Sequence, residues 1–274
     1  MSKTQTATDL AFFLATSGHS GVDRVMSNLI HACGRRGLQM DLLRIAGHGP
    51  YFHEKPEQVR FIELGCRHVN GSFAALRRYL REVRPPVLLS DKDRLNRLAL
   101  LGRRLSGSPT RIAVRIGTTV SDNLARRGFL EQRLQYFSMR HLYPQADAII
   151  VPSQGAADDL ARIIGPGRCK ITVVPSPVVD PRLETLRRQT PEEQWFDLQL
   201  PKPGPLLLGV GELSERKDFA TLIKAFARLH KLRPQARLLI LGEGRERRAL
   251  TRLIAGLGLE DAVRMPGFDP NPYA

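Results

Sequence analysis

The chain has 274 residues, of which 42% are hydrophobic and 25% charged, and it contains 23 glycines and 19 prolines. That composition excludes collagen, coiled-coil and low-complexity proteins, and the length suits one large domain or two modest ones. Lysine and arginine number 42 against 27 aspartates and glutamates, so the formal net charge of +15 predicts an anionic partner.

Short apolar runs alternate with helical patterns through the first two thirds of the chain. The run at residues 10–15 ends in a glycine loop at 17–21, and apolar residues then recur at helical spacing up to residue 34. Further strands are predicted at residues 42–45, 59–64, 87–90, 112–116, 148–152 and 171–174. The apolar faces of two intervening helices are predicted to be Phe73, Leu76, Leu80 and Val83, and Leu95, Leu98, Leu101 and Leu105. This alternation predicts a parallel, doubly wound α/β sheet.

The pattern lapses into polar, proline-rich sequence between residues 180 and 205 and then resumes. Strands are predicted at 206–210, 237–241 and 262–265, with helices at 218–232 and 245–257. We therefore predict a Rossmann-like domain at residues 1–180, an interdomain segment at 181–203 and a second Rossmann-like domain at 204–274. Because a doubly wound domain needs roughly twice the length of that last region, the second domain is predicted to be incomplete.

Each predicted domain opens with a strand, a glycine-containing loop and a helix. The first loop contains Gly18 and Gly21, and the second contains Gly209 and Gly211. Glycines at such a junction let backbone N–H groups and a helix N-terminus approach a phosphate. Neither loop matches GxGxxG or GxxxxGK[ST], so a simple tight turn is the alternative. Arg216 and Lys217 lie just before the helix predicted at 218–232. They either bind a diphosphate or belong to a solvated first helical turn.

Three segments of the second half carry a more specific signal. They read GVGELSERKDFATLIKAF at 209–226, LLILGEG at 238–244 and VRMPGF at 263–268. Together they resemble the nucleotide-sugar half of the family 4 retaining glycosyltransferases, whose two Rossmann-like domains face a cleft in the GT-B fold. Residues 20–25, 146–153 and 171–178 are similar to the acceptor half of that family.

This resemblance implies transfer of a sugar from a nucleotide-activated donor to a hydroxyl of a glycan or glycolipid, with retained configuration and without a metal or other cofactor. The implied catalytic residue is Lys217, assisted by Arg216, which neutralises the departing diphosphate. The implied donor-binding residues are Gly209, Gly211, Glu212, Gly242, Gly244, Gly267 and Phe268. The implied acceptor-side residues are Gly18, Gly21 and Arg115.

The chain departs from the family's pattern at four places. Glu212 stands where the family usually has arginine, and a carboxylate there repels a diphosphate unless it points away or Arg216 takes over. Gly117 replaces a histidine, and Ser176 replaces an asparagine. The family's paired glutamates are absent after the last strand, and the equally spaced pair at 184 and 192 is interpreted as chance. A non-catalytic remnant or scaffold of such an enzyme is therefore the alternative function.

Most of the excess positive charge lies in residues 67–140, which carry 16 basic and 5 acidic side chains. Nucleic acid is not the expected partner, because only 6% of residues are aromatic and no zinc-finger or RNP motif occurs. Arginines on helices favour an anionic membrane surface or an anionic glycolipid acceptor, with a solvated face as the alternative.

The location follows from what the sequence lacks. No apolar stretch reaches the roughly 18 residues of a membrane span, and residues 10–15 are too short for a secretory signal. The three cysteines form no CxxC pair and the seven histidines have no ligand spacing, so no metal site is predicted. We therefore expect a cytoplasmic protein whose first domain associates peripherally with the inner face of a membrane.

Overall fold

A computed structural model describes residues 8–16, 20–50, 52, 56–125, 127–167, 170–179, 182–189, 204–269 and 271–273. The chain divides into two compact units, Met1–Asp180 and Pro181–Ala274. Most of the predicted interdomain segment lies outside the described residues, and within its described part residues Leu183–Leu186 form a short helix (α7).

The first unit is built on one parallel sheet. Its strands are β1 (Leu10–Phe13), β2 (Met40–Arg44), β3 (Val59–Glu63), β4 (Val87–Asp91), β5 (Arg111–Arg115), β6 (Ala148–Val151) and β7 (Ile171–Val173). They lie in the order β3-β2-β1-β4-β5-β6-β7, and every neighbouring pair is parallel. The strand order reverses next to β1, which confirms the predicted doubly wound α/β arrangement.

Helices cover both faces of this sheet. They are α1 (Gly21–Arg35), α2 (Phe73–Glu82), α3 (Asp93–Ser106), α4 (Val120–Ala125), α5 (Phe129–Leu142) and α6 (Gln154–Ile164). Alternate residues of β1 belong to different apolar clusters: Phe12 packs with α1, whereas Phe13 packs in the cluster that contains α2, α3 and α6. The central strands are therefore buried on both sides, as their continuous apolar sequence predicts, whereas the edge strands β3 and β7 are partly exposed.

The predicted apolar faces of α2 and α3 are each correct only in part: Leu76 and Leu80 of α2 are buried, and in α3 Leu95 is buried and Leu98 packs against the core. Leu95, Ala99 and Leu100 of α3 are buried, whereas Leu105 is 54% exposed. The reason is tertiary: Gly102 faces α2, where an added Cβ would lie 3.5 Å from the side chains of Leu76 and Leu80. The buried face of α3 is thus centred on Leu95, Ala99 and Gly102, and Leu105 lies beyond its edge.

The second unit contains a three-stranded parallel sheet in the order β10-β9-β8. Its elements are β8 (Leu206–Val210), α8 (Phe219–Leu232), β9 (Arg237–Leu241), α9 (Arg247–Gly256) and β10 (Val263–Gly267). Both helices pack against Leu238 and Ile240 on one face of the sheet. On the other face Leu208 of β8 is 52% exposed.

A buried carboxylate orients the loop that follows β5. Asp159 of α6 is 3% exposed and accepts hydrogen bonds from the backbone N–H groups of Val120 (2.8 Å) and Ser121 (3.1 Å) and from the Ser121 hydroxyl (2.6 Å). It thereby supplies partners for the otherwise unpaired N–H groups at the start of α4.

Replacing Asp159 with alanine should lower the free energy of unfolding by about 2–3 kcal/mol, because buried N–H groups lose their acceptor. The adjacent Asp158 is an exposed control, and its replacement should cost less than about 0.5 kcal/mol. Urea denaturation of the two variants measures the difference, and equal losses would contradict the assigned role.

Candidate functional site

Three loops meet at one edge of the second sheet because the carboxyl ends of parallel strands lie together. The N–H of Gly211 donates to Leu241 O (3.0 Å), and the N–H of Gly242 donates to Gly267 O (2.6 Å). The N–H of Leu213 donates to Glu243 O (2.9 Å). The carboxyl edge of an open α/β sheet is where such folds bind ligands. Four glycines predicted as donor-binding residues are brought together here: Gly211, Gly242, Gly244 and Gly267.

Two of these positions require glycine, because neighbouring backbone atoms leave no room for a side chain. A Cβ on Gly242 would lie 1.9 Å from Gly211 O, and a Cβ on Gly244 would lie 2.3 Å from Leu213 O. Gly242 also has φ +146°, a conformation that L side chains rarely adopt. The loop after β8 can therefore rest on the loop after β9 only while both positions lack side chains.

Gly209 has a different position from the loop glycines. It lies inside β8, and a Cβ there would come within 3.0 Å of Phe219 and 3.1 Å of Leu222. The absence of a side chain at Gly209 therefore lets the first turn of α8 approach the strand.

Lys217 lies directly beside the loop after β8. A Cβ on Gly211 would be 3.5 Å from Lys217 Cε, so the lysine stem crosses the loop at van der Waals distance. Residues Glu215–Lys217 form a 3-10 turn, and Asp218 follows in the left-handed conformation (φ +51°) and caps α8 by accepting from Thr221 N (3.3 Å). Lys217 is exposed and forms no ion pair with any residue that the structure describes. This turn presents an unpaired ammonium at the N-terminus of α8.

Arg216 and Glu212 form an ion pair with each other. The distance from Arg216 Nη2 to Glu212 Oε2 is 3.3 Å, and the two side chains are 58% and 62% exposed. Exposed pairs of this kind contribute little to stability, so an arriving anion can displace the carboxylate from the guanidinium. In this structure the Glu212 side chain therefore points toward Arg216, and Arg216 is already paired.

Arg247 also belongs to this candidate site but was not predicted from the sequence. Its Nε and Nη2 donate to Glu243 (2.8 and 2.6 Å), and its Nη1 donates to Met265 O (2.9 Å). These hydrogen bonds lower the pKa of the Glu243 carboxyl below its ordinary value. Arg247 therefore connects the loop after β9 to β10. The sequence feature that could have indicated this pair is the i,i+4 spacing of Glu243 and Arg247.

Phe268, which the sequence predicts as a donor-binding residue, lies directly after β10 and is 56% exposed.

The first glycine loop is described only in part. Gly18 lies outside the described residues, and Gly21 is the first residue of α1. Ser20 and Asp23 form a capping box at this helix N-terminus, with Asp23 N to Ser20 Oγ at 3.4 Å and Ser20 N to Asp23 Oδ2 at 2.9 Å. Thr16, at the end of the preceding run, donates to the same carboxylate. The N–H groups at the start of α1 are thus partly occupied by the chain itself.

Arg115 is the last residue of β5 and is buried rather than displayed in a loop. It is 8% exposed, and its guanidinium donates to Asp91 Oδ2 (3.0 Å) and Ser176 Oγ (2.8 Å). Burial raises the pKa of Asp91, and the neighbouring Arg115 partly opposes that change. A Cβ on Gly117 would lie 3.2 Å from Arg115 Nη1. Arg115 therefore links the ends of β4 and β5 to the segment after β7.

Next to this pair, Lys92 has a backbone conformation that non-glycine residues seldom adopt (φ +76°). Its ammonium donates to Ala15 O at 2.9 Å and so joins the carboxyl end of β4 to that of β1. Neither Asp91 nor Lys92 could be predicted from the sequence, because a strand ending in Ser-Asp-Lys has no distinctive spacing. Among the described residues, no group of three His, Cys, Asp or Glu side chains is placed to hold a metal ion.

Comparison with protein families accounts for this architecture. Residues 20–177 match the model described as glycosyl transferase 4-like domain, and residues 191–274 match the model described as glycosyl transferases group 1. The chain belongs to glycosyltransferase family 4. This family retains the anomeric configuration of the transferred sugar, and the resemblance drawn from the sequence motifs is confirmed.

Characterised relatives build lipid-linked and lipopolysaccharide glycans. N-acetylgalactosamine-N,N'-diacetylbacillosaminyl-diphospho-undecaprenol 4-alpha-N-acetylgalactosaminyltransferase of Campylobacter jejuni is 30% identical over 276 residues, covering 96% of this chain and 70% of that protein. The lipopolysaccharide core biosynthesis glycosyltransferase LpsD of Rhizobium meliloti is 36% identical over 89 residues, which is 32% of this chain and 25% of that protein.

Solved structures show the same fold. The Anabaena Alr3699/HepE structure in complex with UDP and glucose superposes with a TM-score of 0.69 at 14% identity, over 96% of this chain and 70% of that one. Both parallel sheets therefore belong to a GT-B fold, as predicted.

Gly242→Ala should disrupt the second unit, because the new methyl group collides with a backbone carbonyl that cannot move independently. We expect a loss of about 3 kcal/mol or more in stability. Gly256→Ala is the matched control, since no atom lies within 4 Å of a Cβ at that helix end. Thermal unfolding of both variants decides the matter: a Gly242→Ala protein as stable as the control would show that the two loops do not touch.

Proposed function

We propose that the chain binds a nucleotide-sugar donor through its diphosphate at the carboxyl edge of the three-stranded sheet and transfers the sugar, with retention, to a hydroxyl of a glycan or glycolipid. The observation that carries this proposal is the position of Lys217: its stem crosses Gly211, and its ammonium has no carboxylate partner among the described residues. An unpaired cation beside a glycine loop and a helix N-terminus suits a diphosphate.

In the proposed reaction, the bond between the sugar's anomeric carbon and the diphosphate breaks while the acceptor oxygen bonds to the same face of that carbon. Negative charge accumulates on the departing diphosphate as this bond breaks. Lys217 therefore stabilises the transition state more than the bound donor, because the diphosphate is more negative in the transition state. The leaving phosphate oxygen accepts the acceptor's proton, so the proposal requires no protein base and no metal. Arg216 contributes after it exchanges Glu212 for a phosphate oxygen. Gly244, Gly267 and Phe268 border the place proposed for the nucleotide base.

The acceptor is proposed to be lipid-linked. The Campylobacter relative carries a diphospho-undecaprenol acceptor in its name. Such an acceptor keeps its lipid in the bilayer, so a transferase that uses it works at the membrane surface. The excess of basic residues at 67–140 supports a cytoplasmic protein that associates with an anionic leaflet. Among the described residues, no helix is both long and apolar enough to cross a membrane.

A non-catalytic scaffold is the second candidate, and Glu212 is the observation that favours it. This carboxylate occupies a loop in which the family usually has arginine, and it holds Arg216 at 3.3 Å. A chain that has lost donor binding tolerates a carboxylate at this position. The two candidates differ in whether the chain binds UDP and releases it from a UDP-sugar.

Lys217→Ala should weaken UDP binding about tenfold or more, because a charge-assisted contact to the diphosphate is lost. The control is Lys224→Ala: this lysine is also exposed, but it lies further along α8. Isothermal titration with UDP measures both. If the wild type binds neither UDP nor the other common nucleoside diphosphates, the donor site is refuted and the scaffold is favoured. Equal affinity of the two variants would remove Lys217 from the site.

Glu212→Gln should tighten UDP binding about threefold, because it removes a negative charge near the diphosphate and releases Arg216. Glu215→Gln, in the adjacent 3-10 turn, provides a charge-matched control for a change in overall charge. A wild-type affinity in Glu212→Gln, or the same gain in both variants, would show that the Glu212 carboxylate does not act on the bound diphosphate.

A further inference from the structure

Helix α5 carries an apolar face that no other described element covers. Phe129, Leu130, Leu134 and Phe137 are 69%, 76%, 69% and 64% exposed. Three of them, at positions 130, 134 and 137, recur at i, i+4 and i+7 and so form one stripe along the helix. Single exposed apolar residues are ordinary on a protein surface, but a continuous stripe of large ones marks an interaction site.

This stripe is not the face that holds α5 in the fold. Met139 is fully buried, and Tyr136 and Leu142 pack against the same core cluster, beside α3 and α6. The helix is therefore apolar on two opposite sides. One side anchors it to the first unit, and the side defined by residues 129, 130, 134 and 137, called here the outer stripe, faces solvent.

Unpaired arginines border the outer stripe. Arg133 stacks over Phe129, with its Cζ 5.7 Å from the ring centroid, and Arg140 lies two turns further along the same flank. Neither forms an ion pair with a described residue. The one carboxylate on α5, Glu131, is already paired with Arg127.

We infer that the outer stripe of α5 inserts into the headgroup region of an anionic bilayer. A helix with large apolar residues on one side and arginines at the border lies in the plane of a membrane interface, with its apolar side chains several ångström deep. Arg133 and Arg140 meet lipid phosphates, while their stems stay beside the apolar residues. A second copy of the chain fits less well, because face-to-face stripes bring these arginines together. The rings of Phe137 and His141 are in contact at the far end of the stripe, with centroids 4.1 Å apart and planes tilted by 37°.

This inference deepens the proposed membrane location and rests on it. Attachment through scattered arginines is purely electrostatic and decays with salt, whereas insertion of the outer stripe adds an apolar contribution that salt does not screen. The two modes therefore predict different behaviour at physiological ionic strength.

The test places a reporter in the stripe. The reporter variant is Leu134→Trp. The control is Leu232→Trp, which replaces an 81% exposed leucine at the end of α8. Each variant is mixed with vesicles of phosphatidylcholine and phosphatidylglycerol that contain brominated acyl chains. We expect bromine to quench Leu134→Trp and to leave Leu232→Trp at the wild-type level. The native Trp195 is common to all three proteins and serves as the baseline.

Sedimentation with the same vesicles gives a second measurement. Leu130→Ser with Leu134→Ser should reduce the bound fraction about tenfold at physiological salt, since two partly inserted leucines are lost, whereas Leu232→Ser should not change it. Circular dichroism of each variant verifies the fold.

Other outcomes overturn the inference in distinguishable ways. Sedimentation without quenching of Leu134→Trp would mean that charge alone attaches the protein, so the membrane location would stand and the assignment to α5 would fail. No sedimentation at low salt would refute both, leaving UDP binding as a separate test of the proposed transfer. A dimer that the double serine variant abolishes would assign the stripe to a second copy.

Discussion

The second unit depends on a contact between two pieces of backbone. The loop after β8 lies on the loop after β9 so closely that a single methyl group at Gly242 would meet the carbonyl of Gly211 at 1.9 Å. Because the two loops are joined by hydrogen bonds instead of side chains, their N–H groups and the start of α8 keep a constant geometry. The stem of Lys217 lies against that surface at Gly211, so the backbone contact positions the stem that carries the charge.

Charge pairing then decides which cation at this edge is available to a ligand. Arg247 is engaged by Glu243 and a backbone carbonyl, and Arg216 is engaged by Glu212. Two cations at this edge, Lys217 and Arg245 in the loop after β9, have no carboxylate partner among the described residues. In the first unit the pairing goes further, since Arg115 is buried with Asp91 and serves to join strand ends. The basic residues of this chain therefore differ in their availability: buried Arg115 is fully engaged, Arg216 must first release Glu212, and an unpaired cation can bind an external anion directly.

Helix α5 shows the same division between structure and interaction. Its inner side supplies Met139 to the core, while its outer stripe keeps large apolar residues in water, an arrangement that is unfavourable for an isolated soluble domain. The proposed acceptor and the outer stripe are consistent with one another, because a lipid-linked acceptor requires the transferase to reach the bilayer surface. Anchoring by one amphipathic helix remains reversible.

The sequence by itself determined the parallel α/β architecture, the strand positions, the family and the glycine loop with Lys217. These rest on local periodicity and on a run of consecutive residues, which a linear pattern carries in full. Only the tertiary structure decided which side of a helix is buried, as in α3, where Gly102 faces α2 and Leu105 lies beyond the edge of the buried face. It also decided the partners of Glu212, Arg115 and Arg247. A hydrogen bond forms only where the fold brings two side chains or backbone groups within reach, and the linear sequence does not specify that distance.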